Sequence, residues 1–167
     1  MRTLRSEPLT SAAFAPFGEV LEAPGQPGRA FFDASLGDGR TSARPSLSIA
    51  RCLPVLAPML QVTQLERHAF SSQSFMPMAG GRWLVIVCPH GADGEPDAAA
   101  ARAFAARPDQ GVTYRRDTWH HGLTVLDRPA CHAIFMWRDG GAGDEEFRPV
   151  EPFRVELPPP SDSTPTP

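Results

Sequence analysis

The architecture of this chain is best predicted from the stretch Glu66-Arg-His-Ala-Phe-Ser-Ser-Gln-Ser-Phe-Met-Pro-Met-Ala-Gly80 and from the run that follows it, Trp83-Leu-Val-Ile-Val-Cys88. Successive side chains along a β-strand point to opposite faces, so Glu66 and His68 share one face. The run at 83–88 is apolar at every position, which is typical of a central strand covered on both faces. These features predict a layered β structure with polar side chains directed into its interior.

Proline and glycine occur frequently along the rest of the chain. Nineteen prolines and fourteen glycines divide the 167 residues into short segments, a pattern typical of many-stranded β architectures. Thr10 is a candidate N-cap for a short helix at residues 11–15, and Asp97 for an alanine-rich helix at residues 98–107. Candidate strands lie at residues 47–53, 62–69, 74–78, 83–88, 123–127, 130–137 and 153–157. The prediction is an all-β barrel or double-sheet jelly roll with one or two peripheral helices.

Length and composition predict a single domain followed by a tail. A chain of 18.1 kDa is large enough for one buried core, which we expect to span residues 1–157. Residues 158–167 contain only proline, serine, threonine and one aspartate. Such a segment buries too little apolar area to offset the cost of ordering it, so we expect it to be disordered.

Charge and hydropathy exclude two classes of partner. The net charge is −3 and the basic residues are scattered, whereas a nucleic-acid surface normally shows a basic patch. No apolar run reaches the roughly 18 residues that a membrane span requires, and the N-terminus lacks the apolar stretch of a signal peptide. Cys52, Cys88 and Cys131 are odd in number and widely spaced, which favours reduced thiols in a cytoplasmic protein.

A second polar segment, Gly111-Val-Thr-Tyr-Arg-Arg-Asp-Thr-Trp-His-His-Gly122, contains two of the five histidines. In an extended chain His120 and His121 point to opposite faces, so we expect only one of them, His120, to enter a pocket. Tyr114 and Arg116 share a face with each other and, if the strand is regular, with His120. The segment could therefore supply one wall of a pocket whose other wall carries Glu66 and His68.

The spacing Glu66-x-His68-x4-Gln73-x6-Gly80 resembles the first motif of the cupin superfamily, and Gly111 with His120 or His121 resembles the second. Three features depart from the usual cupin pattern. Glu66 replaces the first histidine, Gln73 replaces the acidic ligand, and Asp117-Thr-Trp119 replaces Pro-x-Gly. The resemblance implies a cupin-like jelly roll, or double-stranded β-barrel, in which Glu66 and His68 face the lumen.

The amino-acid sequences of several segments resemble one family within this superfamily, the ureidoglycolate lyases. These segments are Leu65-Glu-Arg-His68, Ser72-Gln-Ser-Phe-Met-Pro77, Gln110-Gly-Val-Thr-Tyr114, Trp119-His-His121 and Gly140-Gly141. The likeness extends from the segment at residues 9–19 to about Phe153. It implies a homodimer that splits ureidoglycolate into glyoxylate and urea during purine breakdown through allantoin.

The residues offer the groups that this cleavage needs. A base must take the proton of the substrate's hydroxyl group, and an acid must protonate the departing nitrogen; His68, Glu66 and His120 are the candidates. Arg51 lies in an otherwise apolar strand and could hold the carboxylate through its planar guanidinium. It could equally be a charge on an edge strand that prevents pairing with another chain, or form an ion pair at a dimer interface. Further candidate substrate contacts are Tyr114, Arg116, Gln73 and His121.

A metal ion is a second hypothesis for the same residues. Glu66, His68, Gln73 and His120 could form a mixed nitrogen and oxygen site suited to nickel, manganese, iron or zinc. An amide in place of a carboxylate removes one negative charge and weakens such a site. A site that works by acid–base chemistry without a metal therefore stays open.

Three other functions also stay open at this point. An amidohydrolase acting on the same substrate would release ammonia and carbon dioxide. Another small-molecule cupin enzyme, such as a metal-dependent oxygenase or isomerase, would use the same kind of pocket. A non-catalytic cupin sensor would bind a small carboxylic acid without turning it over.

Overall fold

The computed structural model describes residues 1–159, which form thirteen β-strands and two short helical turns. The helical turns are α1 (Ser11–Phe14) and a 3₁₀ turn (Ala98–Ala100). The strands are β1 (Thr3–Arg5), β2 (Glu7–Pro8), β3 (Gly18–Leu21), β4 (Arg44–Cys52), β5 (Met59–His68), β6 (Gln73–Ala79), β7 (Trp83–Cys88), β8 (Arg102–Ala106), β9 (Gly111–Tyr114), β10 (Trp119–His120), β11 (Thr124–Val125), β12 (Ala130–Arg138) and β13 (Glu145–Glu156).

The strands form two sheets. The larger has the order β1-β13-β5-β10-β7-β8-β2, with β11 also paired to β7, and the smaller has the order β3-β9-β6-β12-β4. Trp83, Val85 and Val87 of β7 share one apolar core with Phe75 of β6 and Val112 of β9, so the two sheets pack face to face. The predicted all-β, double-sheet architecture with one or two peripheral helices is confirmed.

Strand β7 is covered on both faces, as its uniformly apolar sequence predicts. All six of its residues are buried. The side chains of Leu84, Ile86 and Cys88 point away from the first core and pack in a second one, which includes Trp119 and Phe153. Because β7 lies at the centre of both cores, it holds the neighbouring strand β10 in a fixed position beside β5.

The alanine-rich segment is not the helix that its composition predicts. Asp97 caps a turn by accepting a hydrogen bond from the amide of Ala99, but the 3₁₀ turn ends at Ala100. Residues 102–106 then form β8, which pairs with β7 on one side and β2 on the other. Pairing with a buried neighbouring strand outweighs the helix propensity of alanine, which is a weak local preference.

Two expectations from the sequence are not tested by the structure. Of the tail predicted to be disordered, residues 160–167 lie outside the described residues. The extent of the single domain over residues 1–157 also stays a prediction. Within residues 1–159, neither helical turn has the length or hydropathy of a helix that crosses a membrane.

Candidate functional site

Four polar side chains converge between the two sheets. Glu66 and His68 lie on β5, Gln73 begins β6, and His120 lies on β10. The backbone of His120 pairs with that of Glu66 across the larger sheet. Atoms of Glu66, His68 and His120 that could bind a metal lie within 4.8 Å of one another. We call Glu66, His68, Gln73 and His120 the polar cluster.

His120 is held on three sides. Its Nδ1 lies 2.8 Å from the carbonyl oxygen of Thr118. Its Nε2 lies 3.1 Å from Oε1 of Gln73 and 3.2 Å from Oε1 of Glu66. The ring of Tyr114 stacks on the imidazole at a centroid distance of 4.1 Å and an angle of 16°. His120 is 1% exposed, so these contacts fix the position of a buried ring.

The contacts of His120 place its Nε2 beside two oxygen atoms that accept hydrogen bonds. A backbone carbonyl oxygen only accepts, so Nδ1 beside Thr118 must carry a hydrogen. In a neutral ring Nε2 then carries a lone pair. This lone pair faces the oxygen atoms of Glu66 and Gln73, which are also acceptors and therefore repel it. A proton on Nε2 relieves this repulsion, and so does a cation bound between these atoms.

The polar cluster therefore fits a divalent cation. Its inward-facing atoms are the imidazole nitrogens and carboxyl or amide oxygens that first-row metals accept. The outer nitrogen of His120 is tied to a backbone carbonyl, as metal-bound histidines usually are. Glu66, His68 and His120 are the group within the described residues that could hold such an ion, with the Gln73 amide oxygen as a fourth ligand.

His68 is oriented by a carboxylate that the sequence did not single out. Its Nδ1 lies 3.5 Å from Oδ2 of Asp144, while Oδ1 of Asp144 accepts hydrogen bonds from the amides of Phe70 and Ser71. Neither ring nitrogen of His68 has a well-aligned hydrogen bond within the described residues. A carboxylate beside Nδ1 favours a hydrogen on that nitrogen, which leaves Nε2 as a lone pair.

Burial and neighbouring charges set the protonation of the polar cluster. Burial alone would raise the pKa of Glu66, but its hydrogen bond to His120 and the charges of the nearby histidines lower it overall. Burial, together with His120, lowers the pKa of His68 against the opposing effects of Asp144 and Glu66. Burial raises the pKa of Tyr114, and the charge of Glu66 adds to this. At neutral pH, Glu66 is thus ionised, His68 is neutral and Tyr114 is a neutral phenol.

A cavity of about 280 Å³ reaches the polar cluster. His68 and Gln73 line its inner end, and Ser46, Ser48 and Met136 line the wall formed by the smaller sheet. The turn that joins β12 to β13 forms the mouth, with Arg40, Arg138, Asp139, Gly141, Ala142, Asp144 and Glu145. A cavity of this size suits a small polar molecule.

Two arginines predicted from the sequence lie away from this cavity. Arg51 is exposed on the outer face of β4, because Ser46 and Ser48 take the alternate, inward positions of that strand. Arg116 is also exposed, with its guanidinium against Gly39. Strand β9 ends at Tyr114 and Asp117 adopts a left-handed φ of 64°, so the chain turns before Arg116 can share the face of Tyr114.

His121 faces a different surface from His120, as alternation predicts. Its Nδ1 contacts the carbonyl oxygen of Gly122 and the hydroxyl of Thr124. It lines a shallow depression with Gln61, Thr63 and Phe147, which Glu66 also reaches. Burial lowers the pKa of His121. Its predicted substrate contact is therefore not one that the main cavity provides.

Two residues of the cavity carried weak signals in the sequence. Asp144 follows a glycine-rich turn, where an aspartate is ordinary, and only the fold brings it to His68. Arg138 ends β12, and its even numbering places it on the inward face with Ile134 and Met136. The regular alternation of residues 130–138 is the signal that could have found it.

The family model and the sequence relatives agree with one another. The family model described as ureidoglycolate lyase matches residues 1–156. The chain is 41% identical to a ureidoglycolate lyase of Chelativorans sp. (strain BNC1), covering 95% of this chain and 99% of the relative. It is 36% identical to a putative ureidoglycolate lyase of Agrobacterium fabrum, covering 99% and 100%. A dTDP sugar isomerase of Desulfovibrio desulfuricans G20 is similar at 18% identity and a TM-score of 0.46, covering 80% of this chain and 82% of that chain. The chain therefore belongs to the ureidoglycolate lyase family.

Proposed function

We propose that this protein cleaves the carbon–nitrogen bond of ureidoglycolate and releases glyoxylate and urea. The observation that carries the proposal is the cavity that opens onto a neutral, buried His68 beside the contacting pair of Glu66 and His120. Family membership supplies the substrate. The geometry supplies groups that can move a proton in a space suited to a small acid.

The reaction moves one proton from oxygen to nitrogen. The hydroxyl proton leaves as the carbon–oxygen double bond forms, and the ureido nitrogen gains a proton as the carbon–nitrogen bond breaks. Because the net change is a transfer within the substrate, one residue can serve first as base and then as acid. We assign this role to Nε2 of His68, since the lowered pKa of His68 keeps that nitrogen free to accept a proton at neutral pH.

The other members of the polar cluster hold one another in place beside His68. Glu66 and Gln73 hold His120, and Tyr114 restricts its ring by stacking. The carboxylate of Glu66, held by His120, lies beside His68 and stabilises the positive charge that His68 gains when it takes up the proton. Such a preorganised charge in a buried site stabilises a transition state more strongly than the same charge in water.

As an alternative use of the same atoms, in which His68 is a ligand and not the proton carrier, we propose that the polar cluster binds a divalent metal ion, with nickel, manganese and zinc as the first candidates. Glu66, His68, Gln73 and His120 would hold the ion, which would act as a Lewis acid on the hydroxyl or carboxylate oxygens of the substrate. Metal ligands bind in their deprotonated forms, so metal uptake should release any proton that these groups carry. Calorimetry of metal-stripped protein in two buffers of different ionisation enthalpy measures that release.

Assembly and location remain proposals. We propose a homodimer formed through the outer face of β4, which is an edge strand of the smaller sheet. Leu47 and Ile49 project from that face and are 69% and 65% exposed, which is unusual for neighbouring large apolar side chains. We propose a cytoplasmic location because Cys52, Cys88 and Cys131 are all unpaired thiols.

One assay separates the candidate functions. Purified protein is supplied with ureidoglycolate, and glyoxylate, urea and ammonia are measured before and after treatment with a chelator. Urea formed in equal amount to glyoxylate supports the lyase, whereas ammonia in place of urea points to an amidohydrolase. Absence of turnover, in metal-loaded and stripped protein alike, would favour a sensor of a small carboxylic acid.

A further inference from the structure

The substrate proposed above carries a carboxylate, and its cationic partner has to be an arginine or a metal. All sixteen basic residues of the chain are arginines, so no lysine is available for this role. A guanidinium pairs with a carboxylate through two parallel hydrogen bonds and therefore fixes its orientation. The question is which arginine reaches the cavity with that guanidinium free.

Among residues 1–159, two arginines line the cavity, Arg40 and Arg138. The guanidinium of Arg40 already forms ion pairs with three carboxylates. Its Nη2 lies 2.7 Å from Asp38 and 3.4 Å from Asp144, and its Nη1 lies 3.3 Å from Asp139. Its side chain is 12% exposed, and three carboxylates around one arginine leave no net positive charge for a ligand. Arg40 thus holds the mouth of the cavity together rather than binding an anion.

The guanidinium of Arg138 is free. Within residues 1–159 it makes no hydrogen bond or ion pair, and the same holds for Arg44, its cross-strand neighbour on β4. Neighbouring residues on adjacent strands project from the same face, so Arg44 stands beside Arg138, which lines the mouth of the cavity. Like charges in this position repel one another and destabilise the strand pair. An anion bound between or beside them would remove that repulsion.

The surroundings of Arg138 match a carboxylate ligand. Ser46 and Ser48 line the same wall and offer hydroxyl donors. Glu145 also lines the cavity, and its register opposite His68 places a negative charge near the other side of the mouth. Repulsion from Glu145 would drive a bound carboxylate towards Arg138. The reacting carbon of a small acid held there would then point to His68, at the inner end of the cavity.

We propose that Arg138, assisted by Arg44, binds the carboxylate of the substrate and sets its orientation towards His68. The site would take small 2-hydroxy and 2-oxo acids, and it would discriminate against their neutral amides. The inference rests on the proposed function for the identity of the substrate, but not for the presence of a carboxylate site.

The test compares a carboxylate with its uncharged analogue. Binding of glyoxylate and of glyoxylamide is measured by calorimetry for the wild type, Arg138→Ala, Arg138→Lys and Arg51→Ala. Arg51→Ala is the matched control, because Arg51 is an exposed arginine on the outer face of the same sheet. We expect Arg138→Ala to weaken glyoxylate binding about tenfold, the effect of one modest charge-assisted contact, and to leave glyoxylamide binding unchanged. Arg138→Lys should recover part of the loss, and Arg51→Ala should have no effect.

Kinetics provide the second readout. Arg138→Ala should raise the KM for ureidoglycolate about tenfold with a smaller change in kcat, because the carboxylate keeps its charge throughout the reaction. An unchanged preference for glyoxylate over glyoxylamide in Arg138→Ala would overturn the inference and leave the lyase intact. If the wild type fails to cleave ureidoglycolate but binds glyoxylate through Arg138, the carboxylate site stands and the proposed reaction fails.

Discussion

His68 is the residue on which the proposed proton transfer depends most directly. We expect His68→Ala to lower kcat by about 10²–10⁴-fold, the usual contribution of a general acid–base residue, while the protein remains folded. The measurement is glyoxylate release from ureidoglycolate, with circular dichroism to check the fold. Thr63→Ala, an exposed position on the same strand, is the control and should retain activity. Full activity in His68→Ala would assign the proton transfer to another residue.

His132 lies deeper in the structure and couples stability to pH. It is 1% exposed, contacts Trp83 edge-on at a centroid distance of 5.0 Å and has no hydrogen-bond partner among the described residues. Burial lowers its pKa. As pH falls below the ordinary value near 6.5, the unfolded chain takes up a proton that the folded chain refuses. The free energy of unfolding therefore falls from that pH downwards, until the lowered pKa of the folded state is reached.

Replacing His132 with an apolar ring should reduce this dependence. We expect His132→Phe to raise the free energy of unfolding by about 1 kcal/mol at neutral pH, because it removes unpartnered buried nitrogen atoms. The gain should be larger at pH 5.5 than at pH 7.5. Urea unfolding at the two pH values measures the difference. Equal gains at both would show that His132 does not contribute to the acid sensitivity.

At the residue scale, alternation along strands was the most useful sequence signal. It predicted that Glu66 and His68 share a face and that His120 and His121 do not, and the structure places all four in this way. Arg51, the carboxylate partner favoured from the sequence, lies on the outer face of β4, because Ser46 and Ser48 take the inner positions of that strand. Asp144 could not be predicted, because its contact with His68 joins positions 76 residues apart.

At the scale of elements, irregular backbone limited the predictions. Strand β9 stops at Tyr114, and a turn anchored by hydrogen bonds from Arg115 to Phe17 and from Asp117 to His68 follows it. This turn separates Arg116 from Tyr114, although a regular strand would keep them together. Short strands such as β10 and β11, of two residues each, have no periodicity from which to predict them.

Gly80 is the last residue of the motif that begins at Glu66, and the structure gives a steric reason for a glycine there. It begins the turn from β6 to β7 with a φ of 137°, and a Cβ built there would lie 2.3 Å from that of Ala130. We expect Gly80→Ala to lower the free energy of unfolding by about 1–3 kcal/mol, through overpacking and an unfavourable φ. Chemical denaturation measures the change. Gly28→Ala, where the added Cβ meets only one atom, at 3.8 Å, is the control. A loss of equal size in both variants would contradict the steric argument.

At the scale of the whole molecule, the two-sheet architecture follows from few features of the sequence. Apolar runs bounded by proline and glycine predicted many strands, and the polar residues within them marked the lumen. The order of the strands was not predictable, because β13 pairs with β5 over long sequence separations and β1 and β2 pair in parallel with β13 and β8. Strand propensity describes single segments and carries no information about such partners.

The proposed dimer gives a prediction at the same scale. Leu47→Asp combined with Ile49→Asp should convert a dimer into a monomer, because two charges would be buried at the interface without partners. Light scattering at micromolar concentration measures the mass. Leu56→Asp is the control, since Leu56 is 85% exposed but lies outside β4. A wild-type protein that is monomeric, or a double variant that stays dimeric, would contradict this interface.

Tyr114 is the only tyrosine of the chain, and its ring lies 4.1 Å from that of His120. Protein labelled with ¹³C at tyrosine would thus give the NMR signals of a single ring in direct contact with the polar cluster. Those signals need no assignment by mutagenesis, and the stacked imidazole makes their chemical shifts sensitive to its charge. Metal uptake, glyoxylate binding and protonation of His120 can each be followed through this one ring, in a protein that need not turn over any substrate.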